Sequence, residues 1–361
     1  MLVLDAHCDA PSQMLRLRDF SQDNPRGQVD FPKLRRGGVD ASFFALYIPA
    51  HYAPGDEAFA YARRLLDAFS EQVPGEGGGV RRRQAFSRAD VEAFAAEGVT
   101  SAILALENGS PLCGDLTRRL EWFESRGVRY VTLTHSEDNP LADSCTGRGT
   151  WSGGGLRGGL SPEGREAVRE MNRLSILVDV AHCSDATVRD ALEVSSKPVV
   201  STHGACRALC SHPRNLSDSL MRGIAESGGV VGISIYPCFI SDEFRGVLQA
   251  SGLERKMWVE DEFISDPSDP EKARKWWEVV DELSALPRPG IGRVVDHLEH
   301  AAQVCGAEHV CIGTDYDGIE VTPTGLETVA SLGALWEEMR RRGFTPEEIS
   351  AIAGENLLRL L

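Results

Sequence analysis

Short apolar runs alternate along the chain with longer stretches of helical period. Eight of the runs read as β-strands: 2–9, 39–48, 99–107, 128–135, 174–182, 198–203, 230–236 and 309–315. Strand-like and helix-like segments that alternate throughout predict a parallel α/β architecture. Eight strands predict a (β/α)8 TIM barrel, with residues 1–361 as a single catalytic domain. The helical stretches carry recognisable ends. Ser87 with Asp90 opens one that stops at Gly98, Ser161-Pro162 opens another that runs to about Leu174, and Thr345-Pro346 with Glu348 is a capping-box start.

Two connections are long. Residues 139–160 are crowded with glycine (Gly147, Gly149, Gly153, Gly154, Gly155, Gly158, Gly159), which either lets backbone approach a ligand or leaves the loop mobile. Residues 241–288, between the seventh and eighth strands, carry Glu260-Asp261-Glu262 and Trp276-Trp277. That insertion is expected to form a helical flap beside the barrel mouth, with a surface contact between copies as the alternative.

Six strands end in groups that are costly to bury: His7-Cys8-Asp9, Glu107, His135, His182, His203 and Asp315. Functional groups at the C-terminal ends of barrel strands point to a metal site at the mouth. His7 and Asp9 alternate onto one face of the first strand and Cys8 onto the other. Glu107 ends an apolar run, where its two oxygens could bridge two cations; a buried salt-bridge acid is the plainer reading. His182 and His203 end neighbouring strands at one level, a pair that suits Zn²⁺. Asp315 is placed to accept a proton from a metal-bound water. Asp317 shares that face, but the Gly318 turn makes it a loop-fixing residue. A compact zinc knot of His203, Cys206, Cys210 and His212 competes. It is disfavoured because that stretch must also finish a strand and start a helix, with Cys206 and Cys210 neighbours on the helix's packed face.

Composition narrows the partners. With 42% hydrophobic and 25% charged residues the chain can bury a large core. A net charge of -16 argues against nucleic acid and anionic membranes as partners. No run reaches the length of a membrane span, and the first residues lack the features of a secretory signal. Nine scattered cysteines fit reduced thiols, so a cytoplasmic location is expected.

Several pieces occur together and in order: Asp5-Ala-His-Cys-Asp9, Gln28-Val-Asp-Phe-Pro-Lys-Leu-Arg35 with Gly37-Gly38-Val39, Leu106-Glu-Asn108, Leu133-Thr-His135 with Asn139, Asp179-Val-Ala-His182, Ser201-Thr-His203 with Arg214-Asn215, and Gly313-Thr-Asp-Tyr-Asp-Gly318. In these the chain resembles the membrane dipeptidase (renal dipeptidase) family of the amidohydrolase superfamily. The resemblance implies a zinc dipeptidase with two Zn²⁺ per chain, acting through a metal-bridging hydroxide. It implies that His7 and Asp9 hold one zinc, His182 and His203 the other, and that Glu107 bridges them. It also implies that His135 binds the scissile carbonyl oxygen, that Arg214 binds the free C-terminal carboxylate, that Asp315 handles protons and that Tyr236 contacts substrate. The implied partner is a dipeptide, with a homodimer left open. The sequence departs from the family pattern at Cys8, at Gly204-Ala205 after His203, and in the length of the 241–288 insertion. Two alternatives remain: hydrolysis of another small amide, such as an N-acyl amino acid or a lactam, and a non-catalytic metal-binding barrel.

Overall fold

Strands that are apolar on both faces suit a parallel sheet covered on both sides, and these strands form one. The computed structural model describes residues 1–361 apart from 17, 148–157, 258, 261–262 and 264–268. The ten strands are β1 (Leu4–Cys8), β2 (Ala41–Tyr47), β3 (Gly75–Gly77), β4 (Val80–Gln84), β5 (Thr100–Glu107), β6 (Val128–Thr132), β7 (Leu177–Asp179), β8 (Val199–Gly204), β9 (Val231–Ile233) and β10 (Val310–Ile312). Eight of them pair in parallel in the order β1-β2-β5-β6-β7-β8-β9-β10. The sheet then returns on itself: Asp315 N–H donates to the His7 carbonyl at 3.0 Å and Asp9 N–H to the Tyr316 carbonyl at 2.9 Å. The product is a nearly closed (β/α)8 barrel.

The helix starts read from sequence are present. Ser87 Oγ accepts from Asp90 N–H ahead of helix Arg88–Ala96, Ser161 Oγ accepts from Gly164 N–H ahead of helix Pro162–Arg173, and Thr345 and Glu348 form both halves of a capping box. The insertion is helical where described, with helices Asp242–Ser251 and Pro270–Ser284. Of the acidic patch, Asp261 and Glu262 lie outside the described residues, as do Gly149 and Gly153 to Gly155 of the glycine-rich loop. The end of that loop is fixed, because the N–H groups of Gly158 and Gly159 both donate to Asp143 Oδ2, at 2.8 and 3.0 Å.

The structure corrects three sequence expectations. The β3–β4 hairpin is absent from the hydrophobic pattern because Arg81, Arg82 and Arg83 read as polar. Its turn uses Gly78 and Gly79 at φ 58° and 76°, the left-handed pair a two-residue turn requires. β4 pairs with the base of β5, from Arg82–Thr100 to Gln84–Ala102, along the half of that edge that β6 leaves uncovered. Second, the paired strands are shorter than the apolar runs, so His135, His182, Tyr236 and Asp315 lie beyond the last paired residue. Third, residues 205–217 form turns with a Cys206–Leu216 bridge, and the next helix begins only at Asp218. Cys206 and Cys210 are buried in that turn, not on a helix face.

Inward and outward residues alternate along the strands and decide what reaches the mouth. Phe43, Ile103, Ala105 and Tyr130 belong to a compact inner cluster, where Phe43 meets Tyr130 across the intervening β5 at 4.9 Å between ring centroids. Phe44, Leu46, Leu104, Leu106 and Val131 pack outward in the larger cluster beneath the helices. Glu107 continues the inward series after residues 103 and 105.

The sheet leaves no room beside the Thr202 carbonyl, since a Cβ added to Gly232 of β9 would stand 1.9 Å from that oxygen. Gly232→Ala should therefore lower stability by about 2 kcal/mol, the cost of forcing an extra carbon into a packed core. Denaturant unfolding measures this; a midpoint equal to wild type would contradict the packing described.

Candidate metal centre

Glu107 ends β5 in the centre of the mouth and is 2% exposed. Its two oxygens face different partners. Oε2 is 3.4 Å from His7 Nε2, whereas Oε1 is 3.1 Å from His182 Nε2 and 3.5 Å from His203 Nε2. His7 Nε2 lies 3.5 Å from Asp9 Oδ2 and 3.9 Å from Asp315 Oδ1. The Nε2 atoms of His182 and His203 stand 3.0 Å apart. Two sets of donor atoms thus flank one carboxylate, one set on each oxygen.

The imidazoles are fixed from behind. His7 Nδ1–H donates to the Tyr130 hydroxyl at 2.7 Å, and that hydroxyl donates onward to the Ala6 carbonyl at 3.1 Å. The Thr202 hydroxyl donates to Asp179 Oδ2 at 2.8 Å, so its oxygen is left to accept His203 Nδ1–H at 3.0 Å. Each relay leaves Nε2 to face the mouth, which is the tautomer a metal ligand needs. Two further buried acids sit below. Asp179 also accepts from the Thr132 hydroxyl at 2.5 Å and Thr202 N–H at 2.9 Å, and Asp5 accepts from the N–H and hydroxyl of Thr314 at 2.8 and 2.7 Å. Sequence reasoning assigned Tyr130, Asp5, Asp179 and Thr202 no role. A signal existed for Asp5, which shares the alternation of His7 and Asp9; none existed for Tyr130, which sits three strands along the barrel from a partner it meets only in the fold.

The electrostatics ask for cations. Burial and then the neighbouring Glu107 charge push the Asp9 carboxyl up to about 6. Asp315 is pushed up to about 7, by burial first and then by Asp9 and Glu107 against the pull of His7. Burial opposes the charge on Glu107, but His7 and the bonds from His182 and His203 hold it well below the usual carboxylate range. Burial lowers His182 and His203 well below the usual imidazole range, with Arg214 adding to it. Burial also works against a charge on His7, yet Tyr130, Glu107 and Asp9 together raise it well above its ordinary value. A proton held between those carboxylates is what a divalent ion would displace. Buried His7 Nε2 and Asp9 Oδ1 have no hydrogen-bond partner. Orphaned nitrogen and oxygen donors around a buried carboxylate fit divalent cations.

Among the described residues, three groups of donor atoms lie within 4.8 Å of one another: His7, Asp9 and Glu107; His7, His203 and Asp315; and Glu107, His135 and His182. The competing zinc knot does not converge, because Cys206 Sγ lies on the His297 carbonyl and Cys210 Sγ on the Cys238 carbonyl. None of the nine cysteines forms a disulfide.

Beside the donors opens a cavity of about 240 Å³ lined by Asp9, Tyr47, Glu107, His135, His182, Tyr236, Phe239 and Asp315, together with Arg16, Glu260, Asp317 and Glu320. Glu260 comes from the insertion, which therefore reaches the cavity wall. His135 Nε2 stands 3.9 Å from Glu107 Oε1, and burial pushes its pKa down to about 4. Tyr236 reaches the wall, although it lies past the end of β9. Arg214 does not line the cavity. It is 5% exposed, its Nη2 donates to the His203 carbonyl, and its Cζ lies 5.5 Å from the Phe239 ring. Asp317 does fix a loop, accepting from Arg18 and from Gln28 N–H at 3.0 Å. Asn108, His182, Asp315 and Asp317, all at this mouth, hold φ between 65° and 75°. Left-handed backbone at non-glycine residues costs free energy and collects at functional sites.

A family model described as membrane dipeptidase, peptidase family M19, matches residues 1–361. Among similar proteins, an uncharacterized dipeptidase of Schizosaccharomyces pombe is 29% identical over 373 residues, covering 99% of this chain and 80% of that protein. The dipeptidase aclJ of Aspergillus oryzae is 29% identical over 365 residues, covering 97% and 73%. The fold is shared with a probable dipeptidase, PvdM, from Pseudomonas aeruginosa at a TM-score of 0.81 and 24% identity, covering 100% of this chain and 94% of that one. It is shared too with a metallo peptidase from Rhodobacter sphaeroides liganded with a phosphinate mimic of the dipeptide L-Ala-D-Ala, at a TM-score of 0.77, 24% identity and coverage of 100% and 98%.

If the Tyr130 hydroxyl sets the His7 tautomer, Tyr130→Phe should weaken divalent-ion binding by about tenfold to a hundredfold while leaving the fold intact. Competition against a chromophoric chelator measures this. Unchanged affinity would show that His7 is oriented by something else.

Proposed function

The chain belongs to the membrane dipeptidase family of metallopeptidases, and from that footing we propose that it is a binuclear zinc dipeptidase cleaving dipeptides with a free C-terminal carboxylate. The observation that carries the reading is the division of Glu107, with Oε2 toward His7 and Oε1 toward His182 and His203. Two zinc ions, one on His7 and Asp9 and the other on His182 and His203 with Glu107 between them, would supply a hydroxide nucleophile near neutral pH and polarise the scissile carbonyl.

The protein's own groups do the rest. Asp315 takes the proton of the attacking water and passes it to the departing amine nitrogen. Its Oδ1 lies 3.9 Å from His7 Nε2, at the edge of the donor cluster, where it can reach both. His135, kept neutral by burial, donates a hydrogen bond to the carbonyl oxygen as negative charge gathers there. Arg214 receives the terminal carboxylate. Its Nε is buried without a hydrogen-bond partner among the described residues, a donor that a carboxylate would satisfy. Tyr236 contacts the substrate from the wall. Residues 1–361 act as one catalytic unit, with the helices between 242 and 284 as its flap. No helix among the described residues is long and apolar enough to cross a membrane. Nine cysteines with no disulfide among them support a reducing, cytoplasmic setting.

Steady-state kinetics on Ala-Ala, its C-terminal amide and N-acetyl-alanine test the reading. Ala-Ala should be cleaved, and both the amide and the Arg214→Ala enzyme should lose about thirtyfold or more in kcat/KM, the consequence of leaving a buried charge unpaired. Arg214→Lys should rescue only in part, because an ammonium cannot make the planar two-point contact. Equal efficiency on Ala-Ala and its amide would contradict the role of Arg214, and preferential cleavage of N-acetyl-alanine would contradict the dipeptidase.

A further inference from the structure

The cavity wall carries more charge than this chemistry uses. Apart from the groups assigned above, it presents Arg16, Glu260, Asp317 and Glu320. Most of that charge is answered within the fold. Asp317 is paired with Arg18. Arg16 lies in the field of Glu260, with its Cζ 5.4 Å from the Phe263 ring. Arg26, on the neighbouring wall, binds Asp281 through two contacts of 2.9 and 3.2 Å and lies over Trp277.

Glu320 has no such answer. Its Oε2 accepts from the Tyr236 hydroxyl at 2.8 Å, and no cation among the described residues pairs with it. The hydroxyl spends its single hydrogen on this bond, so Tyr236 and Glu320 both present only acceptor lone pairs to an incoming group. Glu320 also lines a second hollow of about 60 Å³ that adjoins the first and is walled by Gln13, Trp276 and Trp277 and by Arg18 and Arg26, whose charges are held by Asp317 and Asp281. A half-buried carboxylate with a neighbouring acceptor and space beyond it is a receptor for a cation.

We infer that Glu320 is a specificity residue that receives the ammonium or guanidinium end of a basic side chain on the substrate. The inference rests on the dipeptidase reading above and deepens it. The side chain belongs to the C-terminal residue of the dipeptide. Tyr236 packs edge-on against Phe239 at 4.9 Å, and Arg214 lies over the same Phe239 at 5.5 Å, so one ring links the acceptor pair to the proposed carboxylate grip. Burial raises the Glu320 carboxyl above its ordinary value, and a cation delivered by the substrate would restore its charge.

The test compares kcat/KM on Ala-Lys with Ala-norleucine, which has the same stem without the charge, and includes Ala-Ala. The wild-type enzyme should favour Ala-Lys by about tenfold, the effect of one charge-assisted hydrogen bond in a partly wet site. Glu320→Gln keeps an oxygen for the Tyr236 hydroxyl, so the wall is preserved, and the preference should fall to near one. A flat ratio in the wild type overturns the inference, as does a preference that survives in Glu320→Gln. An equal loss on all three peptides also overturns it, because Glu320 would then read the α-ammonium they share or support the wall. Failure to cleave any of the peptides overturns the dipeptidase reading and this inference with it, whereas turnover with a flat ratio overturns the inference alone.

Discussion

A carboxylate buried at the end of an apolar strand is the constraint on which the site depends. Removing a charged group from water is expensive unless opposite charge or hydrogen bonds replace the solvent. Glu107 meets that condition only because imidazoles approach both of its oxygens, and Asp9 and Asp315 add further negative charge within the same few ångströms. An arrangement that concentrates three acids around imidazoles, two of which burial keeps neutral, is stable as a receptacle for cations and costly as anything else.

The barrel supplies the rigidity that this receptacle needs. Beneath the donors lie Asp5 and Asp179, buried like them but fully hydrogen-bonded to threonine hydroxyls and backbone N–H groups. The two tiers divide the work: the lower acids are spent on fixing strand ends and imidazole tautomers, and the upper ones remain available. The left-handed residues at 108, 182, 315 and 317 turn the chain sharply after the last paired residue, so side chains from separate strands converge in place of running past one another. Strain of that kind persists only where the surrounding hydrogen bonds over-determine it.

Much of this was legible from residue order. The eight barrel strands follow from apolar runs, and Glu107 was readable as a possible bridge because nothing apolar about 101–106 accounts for it. What stayed hidden depended on contacts between distant segments. The hairpin at 75–84 is built from arginines that cover a strand edge, a context no local pattern carries. The turn after His203 was misread as a helix because Cys206 and Cys210 have helical spacing, whereas Cys206 N–H donates to His297 Nδ1 and its bridge to Leu216 ties the segment down. Tyr130 looked like ordinary core, and its hydroxyl acquires meaning only beside His7. Glu320 reads as one more loop acid until the fold sets it against Tyr236 on the cavity wall.

The central claim is that Glu107 lies between two cations, each oxygen serving one. Anomalous diffraction at the zinc edge from zinc-loaded crystals tests it most directly. Two anomalous peaks per chain are expected, one within ligand distance of His7, Asp9 and Glu107 Oε2, the other within ligand distance of His182, His203 and Glu107 Oε1. A single peak, or two peaks that leave either Glu107 oxygen without a metal, would contradict it.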